Sequence, residues 1–305
     1  MKYLMYCLHF PVGVHFGEKS LDESRYSFSA DTLFSALYIE ALKHGEDMAS
    51  WLLKKVCAGE ILFSDAFPYI GETYYLPKPL RRVEVHDTQG DSRVKKAFKS
   101  LAYIPMRQME SYMKGDFDAI SEKQKLGNLG KGYVKTSAAI HGMEETEPYH
   151  VGVYYFNDGC GLYFIVKIAD EQDEDGVYDL LDSLSFSGIG GKRTSGLGRF
   201  ELDKVKALDS MKFERKGSVY MSLSISLPKE EEMEKALHNA QYQVQKRGGF
   251  VASFEYASEN RKKKDLFLLS SGSCFEHTFQ GDVYDVSDGG NHPVYRYAKP
   301  IFFAL

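Results

Sequence analysis

At 305 residues, 43% of them hydrophobic and 14% aromatic, the chain has material for one large core or two ordinary ones, and it carries no low-complexity tract that would mark a disordered or fibrous protein. Its formal net charge of −5 excludes a uniformly basic molecule that coats nucleic acid, so any nucleic-acid site must be local. Cys7, Cys57, Cys160 and Cys274 stand far apart without a C-x-x-C pair or a histidine at ligand spacing, and no apolar run approaches the ~18 residues of a membrane span, so the expectation is a soluble cytoplasmic protein with reduced thiols, no metal, no cofactor and no membrane partner.

Residues 2–10 read as a buried strand ending at Pro11. A glycine-bearing loop leads to "SADTLFSALYIEALKHG", where Leu33, Phe34, Leu37, Ala41 and Leu42 recur at helical spacing between a Ser29 or Asp31 cap and Gly45. A second helix is expected over about 47–58. From residue 61 short apolar runs, "ILFSDAFPY" and "TYYLPKPL", read as strands with prolines at edges or turns. "VKKAFKSLAYIP" reads as a basic helix running into a strand, and residues 114–135 as an inserted polar arm. "YVKTSAAI" and "YHVGVYYF" are expected to pair as a long hairpin, with "GLYFIVKI" beside them.

Next, Val177, Leu180, Leu181 and Leu184 mark one face of a helix, followed by the stretch "SGIGGKRTSGLGRF" at 187–200 and then a strand. After a polar junction at 212–218, "VYMSLSISL" alternates as a half-exposed strand, and Met233, Leu237, Ala240 and Val244 stripe a helix over 229–246. Further strands follow, with 261–264 as a polar hairpin tip. Strand, helix, strand, strand begins a ferredoxin-like unit, and the first half reads the same way once insertions at about 84–160 are set aside. The expected fold is therefore α+β: two tandem ferredoxin-like (RRM-like) domains, residues 1–212 and 213–305.

Five glycines and three cations within residues 187–200 suit an anion, because glycine lets backbone N–H groups come close and the cations neutralise charge. The anion could be a nucleotide, a substrate phosphate or a nucleic-acid backbone. A P-loop would need Ser or Thr after Gly191-Lys192, where Arg193 stands, and a glycine where Phe186 stands. A mononucleotide fold would also run strand, loop, helix, the reverse of the order here. Both NTP readings therefore fail.

The helix, "SGIGGKRTSGLGRFEL" and strand resemble the glycine-rich signature loop of the RAMP superfamily of CRISPR proteins. "VHFG" at 14–17, "SADTLFSAL" at 29–37, "YLPKPL" at 75–80, "KRGGFV" at 246–251, "SSGSCF" at 270–275 and "HPVYRYAKP" at 292–300, in that order, resemble one family within it, the fourth subunit of the type III-A Csm interference complex. The likeness spans nearly the whole chain and is weakest at 84–98 and 114–147. It implies a non-catalytic RNA-binding subunit of antiviral defence that holds the repeat-derived 5′ handle of the guide RNA. The implied protein partners are the large palm-domain subunit and the repeated RAMP backbone subunit, with target RNA nearby but not the main ligand.

A single-stranded handle needs backbone neutralisation and surfaces for splayed bases. Lys192 and Arg193 are the expected phosphate contacts, with Gly188, Gly190, Gly191, Gly196 and Gly198 giving close approach and Thr194 and Ser195 giving hydroxyls. Arg199 enters the strand and could pair with a carboxylate instead. His15 and Phe16 come next, with Ser29 and Thr32 at a helix start where Asp31 would repel a phosphate. Lys78, Arg81, Lys246, Arg247, Arg296 and Tyr297 complete the expected RNA-binding set, Lys246 and Arg247 at a helix end. His15 also sustains an alternative, a metal-independent RAMP endoribonuclease that processes guide RNA.

Overall fold

A computed structural model describes all residues except 85–91, 140–146, 252 and 254. Its backbone is one antiparallel sheet. Strand β1 (Lys2–His9) lies between β8 (Cys160–Ile168) and β9 (Glu201–Leu208). β8 also pairs with β2 (Ile61–Phe63) and β3 (Phe67–Ile70), and the sheet continues through β4 (Thr73–Pro77) to β5 (Tyr103–Pro105). Between β5 and β8 the chain leaves the sheet for a ribbon of β6 (Gly130–Ala139) and β7 (Glu147–Phe156), paired from Gly130↔Phe156 to Ala139↔Glu147. The expected hairpin is present, but β8 lies in the main sheet instead of beside it. The hairpin's end and part of the 84–98 insertion fall outside the described residues.

The apolar run of β1 is continuous because both of its faces are covered. Leu4, Tyr6 and Leu8 point to one core, against α1 (Ala30–His44), α2 (Glu46–Ala58) and α3 (Asp173–Ser187). Tyr3, Met5 and Cys7 point to the other, which is filled by Phe98, Tyr112, Met221 and Phe303. Helix α1 buries Leu33, Phe34, Leu37 and Ala41 as the spacing predicts, while Leu42 turns outward. Ser29 holds the N-cap position without capping through its side chain. Asp65 Oδ1 instead accepts the Ala30 N–H at 2.8 Å. Helix α3 buries Val177, Leu180, Leu181 and Leu184 and ends at Gly188, whose φ of 75° releases the chain into the glycine stretch.

The C-terminal part departs from two expectations. Residues 221–226 are buried throughout, and only Tyr220–Ser222 form a strand, β10. Their serines are internal connectors: Ser224 donates to the Phe63 carbonyl at 2.8 Å and accepts the Ile301 N–H at 3.0 Å. The expected helix over 229–246 shrinks to α4 (Met233–Leu237) after a tight turn at Glu230–Glu232. Glu232 fastens that turn by accepting the N–H groups of Lys229, Gln280 and Gly281, and Asn239, at φ 52°, redirects the chain. Lys246 and Arg247 therefore sit on a strand, β11 (Val244–Arg247), and not at a helix end.

Strand β11 pairs with β12 (Leu266–Leu269), and β13 (Cys274–Phe275) pairs with β10. β14 (Asp282–Asp285) pairs with β15 (Tyr295–Ala298), and β16 (Phe302–Ala304) returns to β10. Leu268, Tyr297 and Ala298 join the same core as α1, so the two halves of the chain are packed on each other.

Candidate nucleic-acid interface

The first turn of α1, the loop at 15–19, the glycine stretch and β11 surround an open groove of about 1070 Å³. It gathers expected residues from far apart in the chain: His15, Phe16, Ser29, Thr32, Gly188, Gly190, Gly191, Arg193, Lys246, Arg247 and Arg296. Lys19, Arg25 and Lys263 add positive charge against the carboxyls of Glu18, Asp31 and Asp65. A molecule with net charge −5 thus has a locally basic cleft. Lys263, which the sequence placed at a polar hairpin tip, had no local signal for this position.

Asp31 is the organising residue at the groove floor. It is 4% exposed, and Arg247 grips it with two bonds, Nε to Oδ2 at 2.9 Å and Nη2 to Oδ1 at 2.8 Å. Arg296 Nη1 donates to Oδ2 at 2.7 Å, and Arg247 Nη2 also reaches Thr32 Oγ1 at 3.0 Å. Burial alone would raise the Asp31 pKa, but the two guanidinium groups hold it below the ordinary value. The expected repulsion of a phosphate by Asp31 is thereby cancelled, because one carboxylate shared by two arginines leaves a net positive floor. Nearby Asp65 goes the other way. Its burial raises the carboxyl to about 6, despite N–H bonds from Ala30 and Ile225.

The glycine stretch is held against the 13–16 loop. Gly191 N–H donates to the His15 carbonyl at 2.8 Å, Gly198 N–H to Gly13 at 3.0 Å, and Ile189 N–H to Gly198 at 2.9 Å. Gly188 and Gly196 amides also donate to backbone carbonyls. These amides are therefore structural, a correction to their expected role as anion ligands. Glycine is required by close approach: a Cβ on Gly190 would lie 2.6 Å from the His15 oxygen, and one on Gly198, at φ 79°, 2.1 Å from the Ile189 oxygen. The turn Arg193–Ser195 projects from this base. Arg193 lines the groove and, among the described residues, has no carboxylate at ion-pair distance. Lys192, in the left-handed region at φ 57°, places Nζ 4.7 Å from the centre of the Tyr149 ring, a partner the sequence did not suggest. Thr194, Ser195 and Arg199 are exposed beside the groove.

Other expected contacts are spent elsewhere. Tyr297 is fully buried, its hydroxyl accepting the Phe63 N–H at 2.9 Å and donating to the Phe63 oxygen at 3.1 Å, so it is a core residue and not an RNA contact. Phe16 is buried between Phe10 and Phe28 and offers no open face for a base. Lys78 donates to the Phe98 carbonyl at 2.5 Å, and burial lowers its pKa. Arg81 lines a different crevice, with Arg82 and Glu276. Lys246 pairs with Asp265 at 2.7 Å but remains exposed. His15 Nδ1 lies 2.6 Å from the Gly152 carbonyl, which can only accept, so the proton sits on Nδ1. Its ring is buried beneath Gly191, a position that serves packing.

Comparison with known proteins adds sequence evidence to this geometry. A family model described as the CRISPR Csm4 C-terminal domain matches residues 215–305. The CRISPR system Cms protein Csm4 of Mycobacterium tuberculosis (strain H37Rv) is 38% identical over 294 residues, covering 95% of this chain and 94% of that protein. The Streptococcus thermophilus protein of the same description is 33% identical over 320 residues, covering 100% and 99%. In fold, the chain is similar to one in the crystal structure of the Csm3-Csm4 subcomplex of the type III-A CRISPR-Cas interference complex, with TM-score 0.67, 18% identity and coverage of 100% and 99%. A chain of the Csm1-Csm4 cassette in complex with pppApA aligns with TM-score 0.67, 17% identity and coverage of 100% and 98%.

Proposed function

The chain belongs to the Csm4 family of CRISPR proteins, and from that premise we propose that it is the subunit of a type III-A effector that holds the 5′ handle of the guide RNA in the groove between the glycine stretch and β11. The observation that carries this reading is the basic groove itself. It joins Arg193, Arg247, Arg296, Lys246 and Lys263 around the start of α1, so that cations line one open channel suited to a phosphate chain. The turn Arg193–Ser195 supplies phosphate contacts at the rim, and at the floor the partly exposed Arg247 supplies one while buried Arg296 holds Asp31. No catalytic residue is assigned. His15 is read as a wall residue, since its ring is buried and its Nδ1–H is committed to Gly152.

The protein acts in this reading as a cytoplasmic cap and adaptor, bound to a large palm-domain subunit on one side and to the repeated backbone subunit on the other. The solved Csm3-Csm4 subcomplex and Csm1-Csm4 cassette support those two partners. The sheet order β9-β1-β8-β2 with α1 and α3 on one face supports the first of two tandem ferredoxin-like domains, and the family match beginning at 215 supports their division near residue 212. The test is guide retention by the assembled complex carrying Lys192→Ala and Arg193→Ala. Loss of guide and a salt slope shallower by about 0.7 per lost single-strand phosphate contact are expected, and unchanged retention and slope would reject the site.

A further inference from the structure

At the C-terminal end of α4, the chain brings together three exposed side chains that the RNA groove does not use. His238 follows the last turn of α4, and Glu276 and His277 follow β13. One ligand atom from each lies within 4.8 Å of the others. His238 Nδ1 stands 3.6 Å from Glu276 Oε2. Two donors bound to one tetrahedral zinc, at bond lengths of ~2.0–2.2 Å, lie about 3.4 Å apart, so this pair needs little adjustment to share an ion. Two imidazoles and a carboxylate form the donor set of a borderline divalent cation, in preference to calcium or magnesium, which favour oxygen.

The support around the three residues is also of the right kind. Asn239 Nδ2 donates to Glu276 Oε2 at 3.2 Å, orienting the carboxylate from the left-handed backbone position that ends α4. The backbone bonds exchanged by Gln241 and Cys274, both at 2.9 Å, fix the two segments side by side just before the ligands diverge. Arg81 and Arg82 line a crevice together with Asn239 and Glu276.

We propose that His238, Glu276 and His277 form a surface site for zinc or a related divalent transition ion, pinning the end of α4 to the end of β13. The experiment uses tag-free full-length protein stripped with a chelator, titrated with Zn²⁺ by calorimetry and with Co²⁺ by visible absorption. Saturable binding of one ion per chain, with the intense d–d bands of low-coordinate cobalt, is expected. His277→Ala and His238→Ala should abolish it, and Asn239→Gly, which tolerates the left-handed backbone, should weaken it about tenfold. Because all three ligands are exposed, the metal-free variants should melt with wild-type protein, which separates loss of a ligand from loss of fold. Absence of saturable binding, or equal binding by the His277→Ala protein, would overturn the proposal.

Discussion

Replacing Asp31 by Ala removes the acceptor of three charge-assisted hydrogen bonds and leaves the guanidinium groups of Arg247 and Arg296 facing each other without a counterion. The Arg296 side chain is only 7% exposed and its Nε already lacks a partner among the described residues, so water cannot readily replace the lost carboxylate there. Breaking a buried ion pair by removing one partner costs about 3–5 kcal/mol, and the partial exposure of Arg247, at 24%, argues for the lower end. Asp31→Asn should be nearly as harmful, because an amide offers one oxygen where two are used and turns its NH₂ toward an arginine N–H. Urea unfolding of the purified chain measures the loss, and a double-mutant cycle with Arg247→Ala should return a coupling of about 1–3 kcal/mol. The same variant unmasks positive charge, so a short single-stranded RNA added in excess should restore part of the lost stability. A destabilisation under about 1 kcal/mol, with additive behaviour in the cycle, would refute the assignment of Asp31 as the keystone of the groove floor.

Other consequences follow from the same geometry. Asp65 has a raised pKa of about 6, so its favourable contribution is present below the unfolded value of about 3.9 and is lost as pH rises through 6. Asp65→Asn keeps an oxygen for Ala30 and Ile225, so urea unfolding at neutral pH should show a gain of up to about 2 kcal/mol that vanishes near pH 4. Asp31 has the opposite sign: its lowered pKa gives stability present above about 3.9 and lost as pH falls, and Asp31→Ala should erase that acid limb in the same titration. Gly198→Ala forces a side chain against the Ile189 carbonyl at positive φ, and thermal melts should show a cost of about 1–3 kcal/mol together with impaired guide retention. Tyr297→Phe removes the hydroxyl acceptor of the buried Phe63 N–H, while Ser224 still donates to the Phe63 carbonyl. It should cost about 1–3 kcal/mol in unfolding experiments while guide affinity, measured on folded complex, stays unchanged.

Periodicity made β1, α1, α3 and the long hairpin legible, because each announces itself through neighbours a few residues away. The position of the glycine stretch after a helix and before a strand was legible for the same reason, and that order by itself excludes the nucleotide-cofactor readings. The groove floor was not, since Asp31 and Arg247 meet across 216 positions and no local pattern marks them as partners. Alternation also misled at Ser222, Ser224 and Ser226, which are buried hydrogen-bonding groups instead of a wetted face. Arg296 and Tyr297 show why a strand motif cannot be assigned as a block: adjacent side chains point to opposite faces, one to the Asp31 cluster and one to the core. The helix over 229–246 failed because its apolar residues do not share one buried face: α4 ends at Leu237, the chain turns at Asn239, and Val244 is exposed on β11.

The central claim is that the guide's handle lies in the groove beside β11. Gln243 is exposed and lines that groove, whereas Tyr178 is exposed on α3 and does not belong to its lining. A photo-crosslinking residue placed at 243 in the assembled complex, with the same residue at 178 as control, reports the contact directly when the crosslinked nucleotides are mapped. Crosslinks from 243 confined to the repeat-derived 5′ handle, with none from 178, are the predicted result. Crosslinks from 243 only to the spacer portion of the guide, or to no RNA while 178 captures the handle, would contradict the account.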